Sequence, residues 1–125
     1  MNVLRSAAVL SLAVSPLAAQ SHARLEGDWQ AKTSDGIHHI MVRGDSSAQF
    51  GEQVARWRMV GDSLWITLGD GAWQVYGMKL LGDHLTLSGG DLDDPVVLRR
   101  TGAATPRPPG LVVPAAPPDT ARAGP

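Results

Sequence analysis

The 125-residue sequence has a formal net charge of −1 and contains no cysteine. Disulfides, zinc–thiolate sites, a cysteine nucleophile and a lipid-modified cysteine are therefore all excluded. Mild acidity with no basic stripe argues against nucleic acid as a partner.

Arg5 supplies a positive n-region, Ala7 to Val14 an apolar stretch, and Pro16 and small residues follow. This is the layout of a secretory signal peptide over residues 1–23, with cleavage fitting after Ala23 or after Ala19. The apolar run is shorter than the ~20 residues a bilayer span needs. The expectation is an exported mature chain, periplasmic or extracellular, with no membrane span.

Residues 24–101 form one expected folded domain, with eight Lys/Arg against eleven Asp/Glu, net −3. A domain this short buries a modest share of its surface, and four tryptophans, at positions 29, 57, 65 and 73, offset that. Gly-Asp steps recur at 27–28, 44–45 and 61–62, a fixed spacing of 17 residues, and again at 82–83. Glycine supplies the positive φ of a tight turn, and Asp tolerates it while bonding nearby backbone.

Between these turns the apolar residues alternate, which is the mark of half-buried strands. In the first strand Leu25, Gly27, Trp29 and Ala31 share a face. The second, Ile37 to Arg43, sets His38, Ile40 and Val42 against Ile37, His39 and Met41, and alternation leaves the inward side open. Ala48 to Gly51 is a short third segment. From Val54 to Val60, Ala55, Trp57 and Met59 share one face, while Arg56 and Arg58 face water. Leu64, Ile66 and Leu68 alternate with Ser63, Trp65 and Thr67. Asp70-Gly71 leads into Trp73–Leu80, where Gly77 signals a bulge or a close backbone approach. Leu85 and Leu87 mark the next strand, an acidic loop spans Asp91–Asp94, and Val96 to Arg100 is the last.

Seven or eight short strands without an amphipathic helical run predict an all-β fold, a small antiparallel up-and-down barrel, because closure removes exposed edges. Inward Trp57, Met59, Leu64, Ile66, Leu85 and Leu87 are expected to fill it, leaving no sizeable cavity. From residue 102 the chain turns to Pro, Ala, Gly and Thr, with seven prolines in 24 residues. Too few apolar groups remain to offset ordering entropy, so 102–125 is expected to be a disordered tail. Arg107-Pro108-Pro109 lacks the flanking context of a full proline-rich recognition signal.

Leu25-Glu26-Gly27-Asp28-Trp29 and the repeated Gly-Asp-x-Leu hairpins resemble the short bacterial secreted lipocalin-like domains. In lipocalins the Trp of a Gly-x-Trp signature closes one barrel end, and an arginine near the end of the last strand packs over its ring. The resemblance implies that role for Trp29, with Arg99 or Arg100 as the arginine and Gly27 completing the signature. The chain is about half a full lipocalin's length, and it lacks the Thr-Asp-Tyr loop motif and the C-terminal helix. A second likeness is to secreted bacterial metalloprotease inhibitors, also small barrels. Their disulfide cysteines are missing here, and the arm before Leu25 is only a few residues.

No residue pattern commits to catalysis. Gly61-Asp62-Ser63-Leu64 spells the GDSL esterase phrase, but a strand follows the serine and no Asp-x-x-His comes after it. Adjacent His38 and His39 point to opposite faces of a strand and cannot share one metal. His84 with Asp83 has no spacing that demands a ligand set. Asp91, Asp93 and Asp94 lack the register of a calcium loop. Arg43-Gly44-Asp45, an adhesion-type tripeptide, reads as one more turn. Neither metal nor cofactor is expected. Trp65 either faces outward as a partner surface or packs beneath a loop or the tail, and Trp73 and Tyr76 complete that candidate surface. The functional expectation is a non-enzymatic barrel that binds an envelope protein or a small apolar ligand, with an inhibitor-like barrel as the alternative.

Overall fold

The computed structural model describes residues 25–123. The expected signal peptide, both cleavage positions and any arm before Leu25 lie outside the described residues. Eight strands follow in chain order: β1 Gly27–Thr33, β2 Gly36–Val42, β3 Ser47–Phe50, β4 Gln53–Val60, β5 Ser63–Thr67, β6 Gln74–Leu81, β7 His84–Ser88 and β8 Val96–Gly102. Each pairs antiparallel with the next, and β8 returns to β1, so the sheet closes into an up-and-down barrel. The short segment before Gly51 is a full strand, β3, which makes the count eight.

The 17-residue spacing has a topological meaning here. One rising strand, one falling strand and their turns consume about that length. The steps at 27–28, 44–45, 61–62 and 82–83 therefore return to the same end of the barrel: Gly27 opens β1, and the later three form the β2–β3, β4–β5 and β6–β7 turns, whereas Gly69-Asp70 and Gly90-Asp91 lie in turns at the opposite end. At Gly61 and Gly82, φ is 61° and 60°, the left-handed values that favour glycine.

Alternation places the core. Trp29, Ala31, Val42, Ala48, Ala55, Trp57, Leu64, Ile66, Leu85, Leu87 and Leu98 are buried in one cluster, with Leu25 beneath the strand ends. The second strand is settled by it: Ile40 and Val42 face inward, and His38 shares their side at the exposed end. Gly77 answers to the close approach, since a Cβ there would stand 3.0 Å from the Ser88 Oγ.

The end where the chain enters is latched. Trp29 and Arg100 are register partners across β1 and β8. The Arg100 guanidinium carbon lies 4.5 Å from the Trp29 ring centroid, a cation–π contact. Arg99 pairs with Gln30 instead, and its side chain is exposed. Arg100 also donates from Nη1 to the Glu26 carbonyl and from Nε to Asp83 Oδ1 at 3.0 Å. The Trp29 indole N–H donates to the Leu25 carbonyl at 2.9 Å. Gly27 makes room for this. With φ at 154°, a Cβ there would lie 3.1 Å from the Arg100 Cδ and from the Gly102 carbonyl oxygen.

The segment after β8 departs from the expected disorder. It runs back along the outside of the barrel as an irregular strap through Ala123. Arg43 Nε donates to the Thr105 carbonyl at 2.8 Å, Arg56 Nε to the Pro114 carbonyl, and the Trp73 indole N–H to the Pro117 carbonyl at 3.0 Å. Trp73 also exchanges backbone hydrogen bonds with Ala121 and Ala123. Proline removes backbone donors but keeps every carbonyl, so such a strap suits a surface rich in Arg and Trp donors. Prolines also restrict the free chain, which lowers the entropy lost on ordering. Arg56 and Arg58 thus face outward as expected, but they meet the strap rather than open water.

Candidate ligand site at the open end of the barrel

The two ends of the barrel differ in chemistry. The latched end is filled by Leu25, Trp29 and Trp57, whose indole N–H donates to the Arg43 carbonyl at 2.9 Å. The void among the core side chains measures about 30 Å³. That is far below the several hundred Å³ of a typical small-molecule pocket. The packed interior expected from the alternating leucines and tryptophans is present.

The opposite end opens into an apolar cleft of about 130 Å³. Its walls are Ile40, Phe50, Tyr76, Leu92 and Val96, and its floor is core leucine and isoleucine. Strands position four of these: Phe50 closes β3, Val96 opens β8, and Ile40 and Tyr76 point inward from within β2 and β6. Leu92 comes from the β7–β8 loop. Gly89 and Gly90 take φ of 80° and 58°, and the Leu92 N–H donates to the Gly89 carbonyl at 2.9 Å, folding Leu92 back over the rim.

Tyr76 gives the rim its polar point. Its hydroxyl donates to Asp91 Oδ1 at 2.7 Å, and its ring lies where a Cβ on Gly90 would sit. Burial, and then the Asp91 hydrogen bond and charge, push the phenol well above its ordinary value. Turns at this end carry Asp35, Glu52, Asp70, Asp91, Asp93 and Asp94 against Lys32. The apolar cleft thus opens at the end of the barrel whose turns are acidic, with Asp91 on its rim. Two broader hollows, of about 400 and 370 Å³, are open and partly polar, and follow the strap past Arg43 and Thr105.

The sequence-selected surface of Trp65, Trp73 and Tyr76 separates into two places. Tyr76 belongs to the cleft. Trp65 and Trp73 lie on the outer face of the sheet, both buried beneath the strap, with ring centroids 5.8 Å apart at an interplanar angle of 60°. The cleft itself was not singled out from sequence. Its signal was the Gly-Gly pair before Asp91-Leu92, which carries an apolar residue into an otherwise acidic loop.

The other candidates resolve into turns and surface groups. Ser63 follows the β4–β5 turn and pairs with Val60 and Gly77 in the ladder. Arg43 of the Arg-Gly-Asp step is buried, and Asp45 accepts from the Ser47 N–H and hydroxyl. The His38 Nε2 lies 3.2 Å from Asp35 Oδ1, and the His39 Nδ1 3.8 Å from Asp28 Oδ1, on separate faces. Among the described residues no group of three His, Asp or Glu is arranged to hold a metal ion. No described helix is long and apolar enough to cross a membrane.

The class defined by these features is a closed eight-stranded antiparallel up-and-down β-barrel with one latched and one open end. Compared with protein-family models, curated proteins and solved structures, the chain matches none.

Proposed function

We propose that this protein is an exported, non-enzymatic, lipocalin-like binding barrel of the cell envelope that accepts one small apolar group in its open end. The observation that carries the reading is the 130 Å³ apolar cleft continuous with the core. An apolar cavity of about 150 Å³ admits a molecule the size of benzene. The occupant is thus a single ring or a short alkyl end, borne by a small amphiphile or by a partner protein's side chain.

The acidic turns set the head group. Their carboxylates repel an anionic ligand and attract a cation within about a Debye length. A cationic or neutral head group is therefore favoured over a fatty acid. Calorimetric titration with hexylammonium, hexanol and hexanoate tests this. Affinity should fall in that order, converge in 1 M salt, and be lost in Leu92→Asp. Equal affinity for all three at low salt, or no binding by any, would overturn the reading.

A further inference from the structure

The outer face of β4, β5 and β6 is built to hold a proline-rich strand, and the chain shows which sequence fits. Arg58 covers an edge-to-face pair of indoles from one side, its guanidinium carbon 4.8 Å from the Trp65 ring centroid and 4.9 Å from that of Trp73. Arg122 of the strap covers Trp65 from outside at 5.3 Å. Arg58 also pairs with Asp119 of the strap. Leu111, Pro114 and Pro117 are half-buried at intervals of three residues, with Val113 half-buried beside Pro114, while Val112, Ala115, Ala116 and Pro118 are exposed. Three residues is one turn of the polyproline helix, and Pro114-Ala115-Ala116-Pro117 has the PxxP spacing such surfaces read. Aromatic walls are the element of polyproline recognition, and an arginine facing a carboxylate adds readout of an acidic residue.

The occupant in place is an incomplete match. The Arg58 Nε is shielded from solvent and has no hydrogen-bond partner. A buried donor left unpaired weakens the complex, and a segment that offered it an acceptor would bind better. The strap is tethered through Gly102, so it holds the groove mainly by its high local concentration.

We propose that the Trp65–Trp73–Arg58 face is a binding groove for an extended proline-rich segment carrying an acidic residue. The C-terminal strap fills it in cis, and a proline-rich acidic segment of another protein takes it when the strap is released. This groove lies outside the barrel and is independent of the open-end cleft.

A fluorescein-labelled peptide reproducing residues 111–123 is the probe, titrated into the full-length chain by anisotropy. Asp119→Lys in the chain sets its own lysine against Arg58 and weakens the strap's hold on the groove. This variant should bind the peptide at least tenfold more tightly than the native chain. A peptide carrying the same Asp119→Lys change should fail to bind it. Arg58→Glu, also with Asp119→Lys in the peptide, should restore binding, a reversal that a purely structural role for Arg58 cannot produce. Near-UV circular dichroism reports that each variant keeps its fold. The proposal is overturned if folded Asp119→Lys protein leaves the peptide unbound at millimolar concentration, or if it binds no better than the native chain. Dimerisation of the native chain that resists excess peptide also overturns it, and assigns the groove to a second copy's strap.

Discussion

Gly27 and Tyr76 show most directly how single residues set the two ends of the barrel. Gly27 holds φ at 154° under the Arg100 stem, a conformation reserved for residues without a Cβ. Gly27→Ala meets both the strained backbone and the 3.1 Å contacts. It should cost about 1–3 kcal/mol of stability, read as a lower urea midpoint. An unchanged midpoint would mean that Arg100 does not cross this glycine.

Tyr76 is the only tyrosine in the sequence, so its ionisation can be followed by absorbance without ambiguity. Its folded value is raised above the ordinary 10 by burial and by Asp91. A raised value means that the contribution to stability is complete below pH 10. It declines as pH climbs beyond, because the unfolded chain ionises first. The native protein should therefore show no phenolate band at pH 10.5, and adding urea at that pH should produce one. Asp91→Asn should bring the folded value down part of the way, leaving the share due to burial.

At the scale of elements, the turns and strands were legible and their facing was only partly so. Gly-Asp steps named the turns because their demands are local: Gly61 and Gly82 take the positive φ, while at the β2–β3 turn Asp45 makes the Asx bond to the Ser47 N–H and the positive φ falls on Ser46. Trp29 and an arginine at the end of β8 were legible as a pair, and register chose Arg100 over Arg99. Alternation alone could not say which side of Ile37–Arg43 faces in, because both sides carry apolar residues. The strap escaped sequence reading for a different reason. Its partners stand some 44 to 62 residues away, and they are donors on a sheet face rather than apolar neighbours.

The β2–β3 turn carries its own pH dependence. Asp45 is held below its ordinary value of 3.8, first by the hydrogen bond from the Ser47 hydroxyl, with further help from the Ser47 N–H, Arg107 and Arg43. A lowered value means that its contribution is complete above pH 4 and is lost as pH falls through the folded value. The carboxylate is partly exposed, so about 1 kcal/mol is the expected scale at neutral pH. Asp45→Ala should lower the urea midpoint at pH 7 accordingly, and the difference from the native chain should shrink towards pH 2. A constant difference across that range would assign the effect to the turn's backbone rather than to its charge.

For the whole molecule, closure organises everything else. Because β8 meets β1, one end is sealed by Trp29 and Arg100, and the Gly-Asp steps at 27–28, 44–45, 61–62 and 82–83 collect there. The other end carries the two longest connections, 68–73 and 89–95, acidic turns, and the only apolar cleft among those described here that continues into the core. The open end was hard to read from sequence because it depends on how far each strand runs before turning, which is a property of barrel shear rather than of any local pattern.

The central claim is that this open end receives an apolar group, and methyl-resolved NMR of the full-length protein tests it most directly. With benzene as probe, the Ile40, Leu92 and Val96 methyl resonances should shift saturably, while Val60 and Leu81 at the latched end stay fixed. Saturating benzene that leaves those three resonances in place, or shifts methyls at both ends alike, would contradict the account.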